Sequence, residues 1–196
     1  ILGAIHDYLP YCHRVASYAS IRSISRYSLE ELSALHDAGL RLLYIGFETG
    51  RDDVLRSMRK GHTVDEAVEQ ARKLNEARLP FYTVIMYGIA GEGESLKNAL
   101  STAGMINRFK TGKVITMNLV VFYGTELDGM VKRGEFTPPG AKERLLEIRT
   151  LLESLTPEDR MVFDTTHPTN IIKIFGTLPE DRQSLLAEVV RHLDKA

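Results

Sequence analysis

What most constrains this chain is a repeated alternation. An amphipathic segment passes through a glycine or proline into a short, β-rich, almost wholly apolar run. In "SLEELSALHDAG" (28–39), Leu29, Leu32 and Leu35 share one helical stripe. Ser28 stands as N-cap with Glu31 at the capping-box position, and Gly39 stops the helix. "LRLLYIGF" (40–47) follows as a strand. "TVDEAVEQARKLNEARL" (63–79), capped by Thr63 with Glu66, leads to "PFYTVIMYG" (80–88). A third helix over about 93–108 leads to "KVITMNLVVF" (113–122). Upstream, "ILGAIHDYLPYC" precedes "RVASYASI" (14–21), a weaker copy of the unit.

Four such units in tandem predict an α/β fold with a parallel sheet. The continuity of the apolar runs predicts strands covered on both faces. A doubly wound sheet and a partial (β/α) TIM-like barrel both satisfy the pattern. No G-x-G-x-x-G follows the first strand, which weighs against dinucleotide binding. From about 141 the alternation stops. "AKERLLEIRTLLESL" reads as a helix, 160–179 as irregular and 180–196 as a closing helix. The expected division is a barrel-type domain over 1–155 and a helical C-terminal extension over 156–196.

With 196 residues and 43% hydrophobic content the chain can build one good core. Its 25 basic and 26 acidic residues leave a formal charge of −1, without the basic excess of a nucleic-acid or membrane-surface binder. No apolar run nears the ~18–20 residues that span a bilayer, and no signal-peptide pattern opens the sequence. The single cysteine, Cys12, cannot form an internal disulfide. A cytoplasmic location is expected.

Ligands of parallel α/β sheets sit beyond the carboxyl ends of the strands. Three such ends carry unusual residues: Gly46-Phe47-Glu48-Thr49-Gly50; "MYGIAGEGES" with Gly88, Gly91 and Gly93; and "NLVVFYGTEL". A carboxylate such as Glu48 suits a diol, because its two oxygens accept from adjacent hydroxyls. Arg59 or Lys60 can hold a carboxylate. Each residue also has a plain structural reading. The glycines serve as turns, Glu92 and Glu94 stabilise a helix start, Arg51-Asp52-Asp53 form a solvated turn, and Arg59-Lys60 end a helix. His36, His62 and His192 show no metal-ligand spacing. His167, in "THPTN", reads equally as a packed loop histidine. No zinc cluster, Walker loop or G-x-S-x-G is present.

Together these segments resemble the radical S-adenosylmethionine (radical SAM) superfamily, in its Elongator-, methylthiotransferase- and coproporphyrinogen-dehydrogenase-like branch. "AGLRLLYIGFETGRDDVLRSMRKGHT" resembles the fourth-strand segment, which ends in Glu-Ser/Thr-Gly before a helix and a basic-Gly-x-Thr stretch. "FYTVIMYGIAGEGES" resembles the fifth-strand glycine region, and "NLVVFYGTEL" the sixth-strand segment. The resemblance covers about 12–155. It implies that Glu48, with Thr49, meets the ribose hydroxyls of S-adenosylmethionine and that Arg59 or Lys60 meets its carboxylate. It also implies that the Gly88–Gly91 turn and the backbone at Val121 and Phe122 flank adenine. Substrate contact is expected from His167 and Asn170 in the extension.

The departure is as specific. The family's Cys-x3-Cys-x2-Cys segment, which holds a 4Fe–4S cluster, is missing, and so are the first two of six strands. The resemblance therefore implies a C-terminal fragment, inactive alone, with no metal ligands of its own. Its parent would be an iron–sulfur oxidoreductase that reductively cleaves S-adenosylmethionine to a 5′-deoxyadenosyl radical, with an electron donor and an unidentified substrate. The unpaired first strand predicts an exposed edge that a second copy pairs with or another segment covers. Two alternatives remain open: a non-catalytic half-barrel for binding or assembly, and a barrel hydrolase or aldolase using Glu48 with Lys60 or His167.

Overall fold

A computed structural model describes all of residues 1–196. The elements run α1 (Leu2–Tyr8), β1 (Val15–Ser20), α2 (Ile21–Ile24), α3 (Leu29–Asp37), β2 (Leu40–Glu48), α4 (Asp52–Ser57), α5 (Val64–Glu76), β3 (Phe81–Tyr87), α6 (Ser95–Ile106), β4 (Lys113–Asn118), α7 (Glu126–Lys132), α8 (Ala141–Ser154), β5 (Met161–Asp164), β6 (Phe175–Leu178) and α9 (Arg182–Leu193). The strands form one open sheet in sequence order, β1 to β6. The first four pairings are parallel, and β5–β6 is antiparallel. This is the expected α/β architecture. The capping boxes at Ser28/Glu31 and Thr63/Glu66 form as predicted, each with both reciprocal bonds.

Two features differ from expectation. The sheet does not stop at four strands. Residues 160–179, expected to be irregular, contribute β5 and β6, and the antiparallel pair carries the sheet onward to α9. And the strands are not buried on both faces. β3 and β4 alternate buried with half-buried residues. Helices cover one face only, over a core that includes Ile45, Phe47, Phe81, Ile85, Val114, Ile148 and Leu152. The other face, with Tyr44, Gly46, Tyr82, Val84, Met86, Ile115 and Met117, is half-open. Most side chains there are apolar although no helix layer covers them, and they form the floor of the open face. A single strand's run of residues does not distinguish that floor from a second helix layer.

β1 pairs only with β2, and most of its residues are exposed. Tyr18 on it continues a row of aromatic rings across the open face. The Tyr18–Tyr44 and Tyr44–Tyr82 centroids are each 5.3 Å apart. Lys113 extends the row, lying over the Tyr82 and Phe175 rings and 3.1 Å from Asp164.

Candidate functional site

The site is built where β2, β3 and β4 end side by side. Each residue of the Glu48-Thr49-Gly50 triplet does a different job. Glu48 sits at φ 67°, a left-handed conformation that costs a side-chain-bearing residue on the order of 1 kcal/mol. The strand register shifts there, between Gly46 and Glu48. The bend lays the carboxylate back over Gly46 on the open face: a Cβ on Gly46 would stand 2.7 Å from Glu48 Oε1. Gly46 is small because the acid occupies that space.

Thr49 turns the other way. It is fully buried, and its hydroxyl donates to Asn98 Oδ1 on α6. It therefore lies on the helix side of the sheet, apart from Glu48's carboxylate. Gly50 presses against α6: an added Cβ would lie 2.2 Å from the Ser101 carbonyl oxygen, and the Gly50 N–H donates to Thr102 Oγ1 at 2.9 Å. The chain then enters α4 past Arg51. Far from a solvated turn, Arg51 is 8% exposed and bonded to Asp53 and Glu94, each at 2.5 Å. The guanidinium holds the Asp53 carboxyl down at about 2. Glu94 thus serves as Arg51's partner across the mouth, beyond any dipole role.

α4 ends in a Schellman motif. Arg59, at φ 52°, donates its N–H to Arg56 O, and Lys60 donates to Leu55 O. The reversal separates two cations that adjoin in sequence. Arg59 is exposed on the outer surface, in a groove with Asp52, Arg56 and His62. Lys60 swings back, and its Nζ lies 3.4 Å from Glu48 Oε2. The structure thus brings Glu48 and Lys60 together and leaves Arg59 outside.

The second strand end turns at Gly88, φ 74°. Gly88 and Gly91 are buried beneath the Phe136–Pro139 segment and α8, and Ala90 is the more open residue between them. The Gly88 N–H donates to Glu147 Oε2 on α8 at 2.9 Å. Glu147 Oε1 accepts from Asn98 Nδ2 at 2.7 Å. Burial pushes the Glu147 carboxyl up to about 7, against the pull of the Asn98 and Gly88 hydrogen bonds. A cavity of about 10 Å³ lies among Glu48, Tyr87, Asn98 and Glu147, on the order of one water. One turn earlier on α8, Glu143 Oε1 accepts from the N–H groups of Gly93 and Ser95 at the start of α6.

Beyond β4, Leu119 N–H still bonds Tyr87 O, and Val121 and Phe122 follow in an open loop, Phe122 67% exposed. His167 and Asn170 lie beyond β5. His167 Nδ1 is 2.8 Å from Thr169 Oγ1. Asn170 is buried, and its Nδ2 donates to the carbonyls of Thr116 and Thr165, fastening the loop to β4. The structure does not bring this pair to Glu48 through any bond.

Sequence reading missed Asn98 and Glu147. The signal was available: Glu147 falls on the stripe of Ile148 and Leu151, and Asn98 beside Ala99 and Thr102, so each is a polar residue on the buried side of its helix. Apolar floor residues Met86 and Met117 stand paired beside the acid. No set of three metal-ligating side chains gathers anywhere, and Cys12 is exposed. These residues do not fit an iron–sulfur cluster.

The chain matches the Radical SAM superfamily over residues 14–103. It is similar to the tRNA uridine(34) acetyltransferase of Methanocaldococcus jannaschii, 26% identical over 130 residues, which are 66% of this chain and 24% of that protein. The same enzyme of Methanocaldococcus infernus is 24% identical over 132 residues, 67% of this chain and 24% of that protein. The chain thus spans about a quarter of the length of these curated relatives. In fold it resembles the archaeal Methanocaldococcus infernus Elp3 with an N-terminal deletion, at a TM-score of 0.65 and 20% identity, covering 94% of this chain and 42% of that one. On the matched segment and the shared architecture, the chain is similar to the radical SAM superfamily, in its Elongator-like branch.

Proposed function

We propose that this chain supplies the adenosyl-binding side of a radical SAM enzyme. The carrying observation is the strained Glu48, held on the open face beside Lys60. Its acceptor pair meets a ribose diol, and Lys60 meets the carboxylate of the methionine moiety. Met86, Met117 and Val84 give adenine and the sulfonium methyl group an apolar bed. Thr49 acts behind the sheet and Arg59 outside it, so neither is assigned to the ligand. S-adenosylmethionine would supply the group that the superfamily cleaves. That step needs a cluster whose ligands this chain does not hold, so the reaction belongs to a longer parent protein and the chain alone is inactive. The relatives' activity on tRNA favours a nucleic-acid substrate for that parent, although this chain's own charge is nearly balanced.

Calorimetry with adenosine and 2′,3′-dideoxyadenosine tests the assignment. Charge-assisted hydrogen bonds are worth about 1.5–3 kcal/mol, so the dideoxy compound should bind at least ~10-fold more weakly. The variant Glu48→Gln should erase most of that difference. Equal affinities, or no adenosine binding, refute the reading.

A further inference from the structure

The acid that matters most behind this edge is not on the edge. Glu147 sits on α8, 1% exposed, with no cation among its partners. A buried carboxylate without a counter-charge is costly, and packing alone would be served by a leucine. Its bonds show what it does. Ionised, it only accepts, and the two donors it takes come from different parts of the site. One is the Gly88 N–H at the end of β3. The other is Asn98 Nδ2, and because that amine faces Glu147, Asn98 Oδ1 faces the Thr49 hydroxyl just after Glu48.

We propose that Glu147 and Asn98 are positioning residues for the carboxyl-edge site, holding the Glu48 strand end and the Gly88 turn at one fixed spacing through the buried chain Thr49–Asn98–Glu147–Gly88. The proposal rests on the adenosyl reading above for what the spacing is for. What the chain requires at 147 is an acceptor for Gly88 and a polar partner for Asn98. A glutamine keeps it whole: its oxygen accepts from Gly88, its NH2 donates to Asn98 Oδ1 with that amide turned over, and the Thr49 hydroxyl then accepts from Asn98 Nδ2. A leucine at 147 fills the space and leaves the Gly88 N–H and one end of Asn98 without a partner. A purely space-filling role would not distinguish these two variants.

The test combines amide hydrogen exchange at Gly88, read by NMR, with calorimetric titration of adenosine. Glu147→Leu should speed Gly88 exchange about tenfold, the worth of one hydrogen bond, and weaken adenosine by a similar factor. Glu147→Gln should keep both within about threefold of wild type. Unchanged Gly88 exchange in Glu147→Leu overturns the proposal, as does faster exchange with unaltered affinity. A glutamine variant no better than the leucine one overturns it too. If the wild-type chain binds no adenosine, the adenosyl reading falls, while the Gly88 measurement still decides whether the clamp exists.

Discussion

Replacing Glu147 by glutamine should change how this protein's stability depends on pH, and the change can be worked out in advance. The carboxyl titrates near 4.5 when unfolded and is pushed up to about 7 by burial in the fold. Between those values the folded state holds a proton that the unfolded state has released. Protonation therefore stabilises the fold. The contribution is fully present below about 4.5 and is lost as pH rises through about 7. Linkage over those two values gives a loss on the order of 2–3 kcal/mol between pH 5 and pH 8. For a chain of this size that corresponds to a melting-temperature change of roughly 5–10 °C. Glu143, Tyr87 and Glu48 lie nearby. They are present in both proteins, so subtracting one profile from the other removes their direct contributions. Urea unfolding of wild type and Glu147→Gln at pH 5, 6, 7 and 8 is the assay. The wild type should lose on the order of 2–3 kcal/mol relative to the variant across that range, most of it below pH 7. Parallel profiles would show that Glu147 is solvated or paired in solution, and the burial argument would fail.

Gly50→Ala drives a methyl group into the α6 backbone at Ser101 and should cost about 3 kcal/mol or prevent folding. A melting temperature within 2–4 °C of wild type, about 1 kcal/mol, would refute the close approach. Arg51→Met removes the cation between Asp53 and Glu94 and should cost about 1–2 kcal/mol by urea titration. No change would show that the two bonds do not form. Arg78, exposed at φ 55° after α5, should be improved by Arg78→Gly. A gain of about 0.5–1 kcal/mol is expected, since glycine carries no penalty in that conformation, and a lowered melting temperature would count against it.

Helices and strands that carry their own periodicity were legible. The stripe of Leu29, Leu32 and Leu35 and the caps at Ser28 and Thr63 act over three or four residues, so the sequence displays them directly. β5 and β6 were not legible, because strands of four residues gain their identity from distant partners: Met161 from Leu178, and Lys113 from Val162. At the candidate site, the Glu-Thr-Gly triplet marked the end of β2, but its division of labour depends on α6. Nothing in adjacent letters shows that Thr49 turns to Asn98 or that Gly50 touches Ser101. Arg59 and Lys60 look equivalent in the chain, and only the left-handed residue at the end of α4 sends them to opposite sides. Glu147 is 98 residues from Thr49, and hydrogen bonds through a third element join them.

β1, with a partner on one side only, also fixes how this architecture can grow. Its vacant side is the flank of a parallel array, so a strand added there in the same sense must arrive through a right-handed crossover. That brings a helix with it, on the already covered surface. For its inward side chains to extend the tyrosine row, the newcomer must also match Tyr18 in pleat phase, since slipping by one residue would turn them outward. An engineer wishing to close this sheet into a cylinder would therefore attach strand–helix modules ahead of β1, rather than hairpins, and would choose their register by that row of rings.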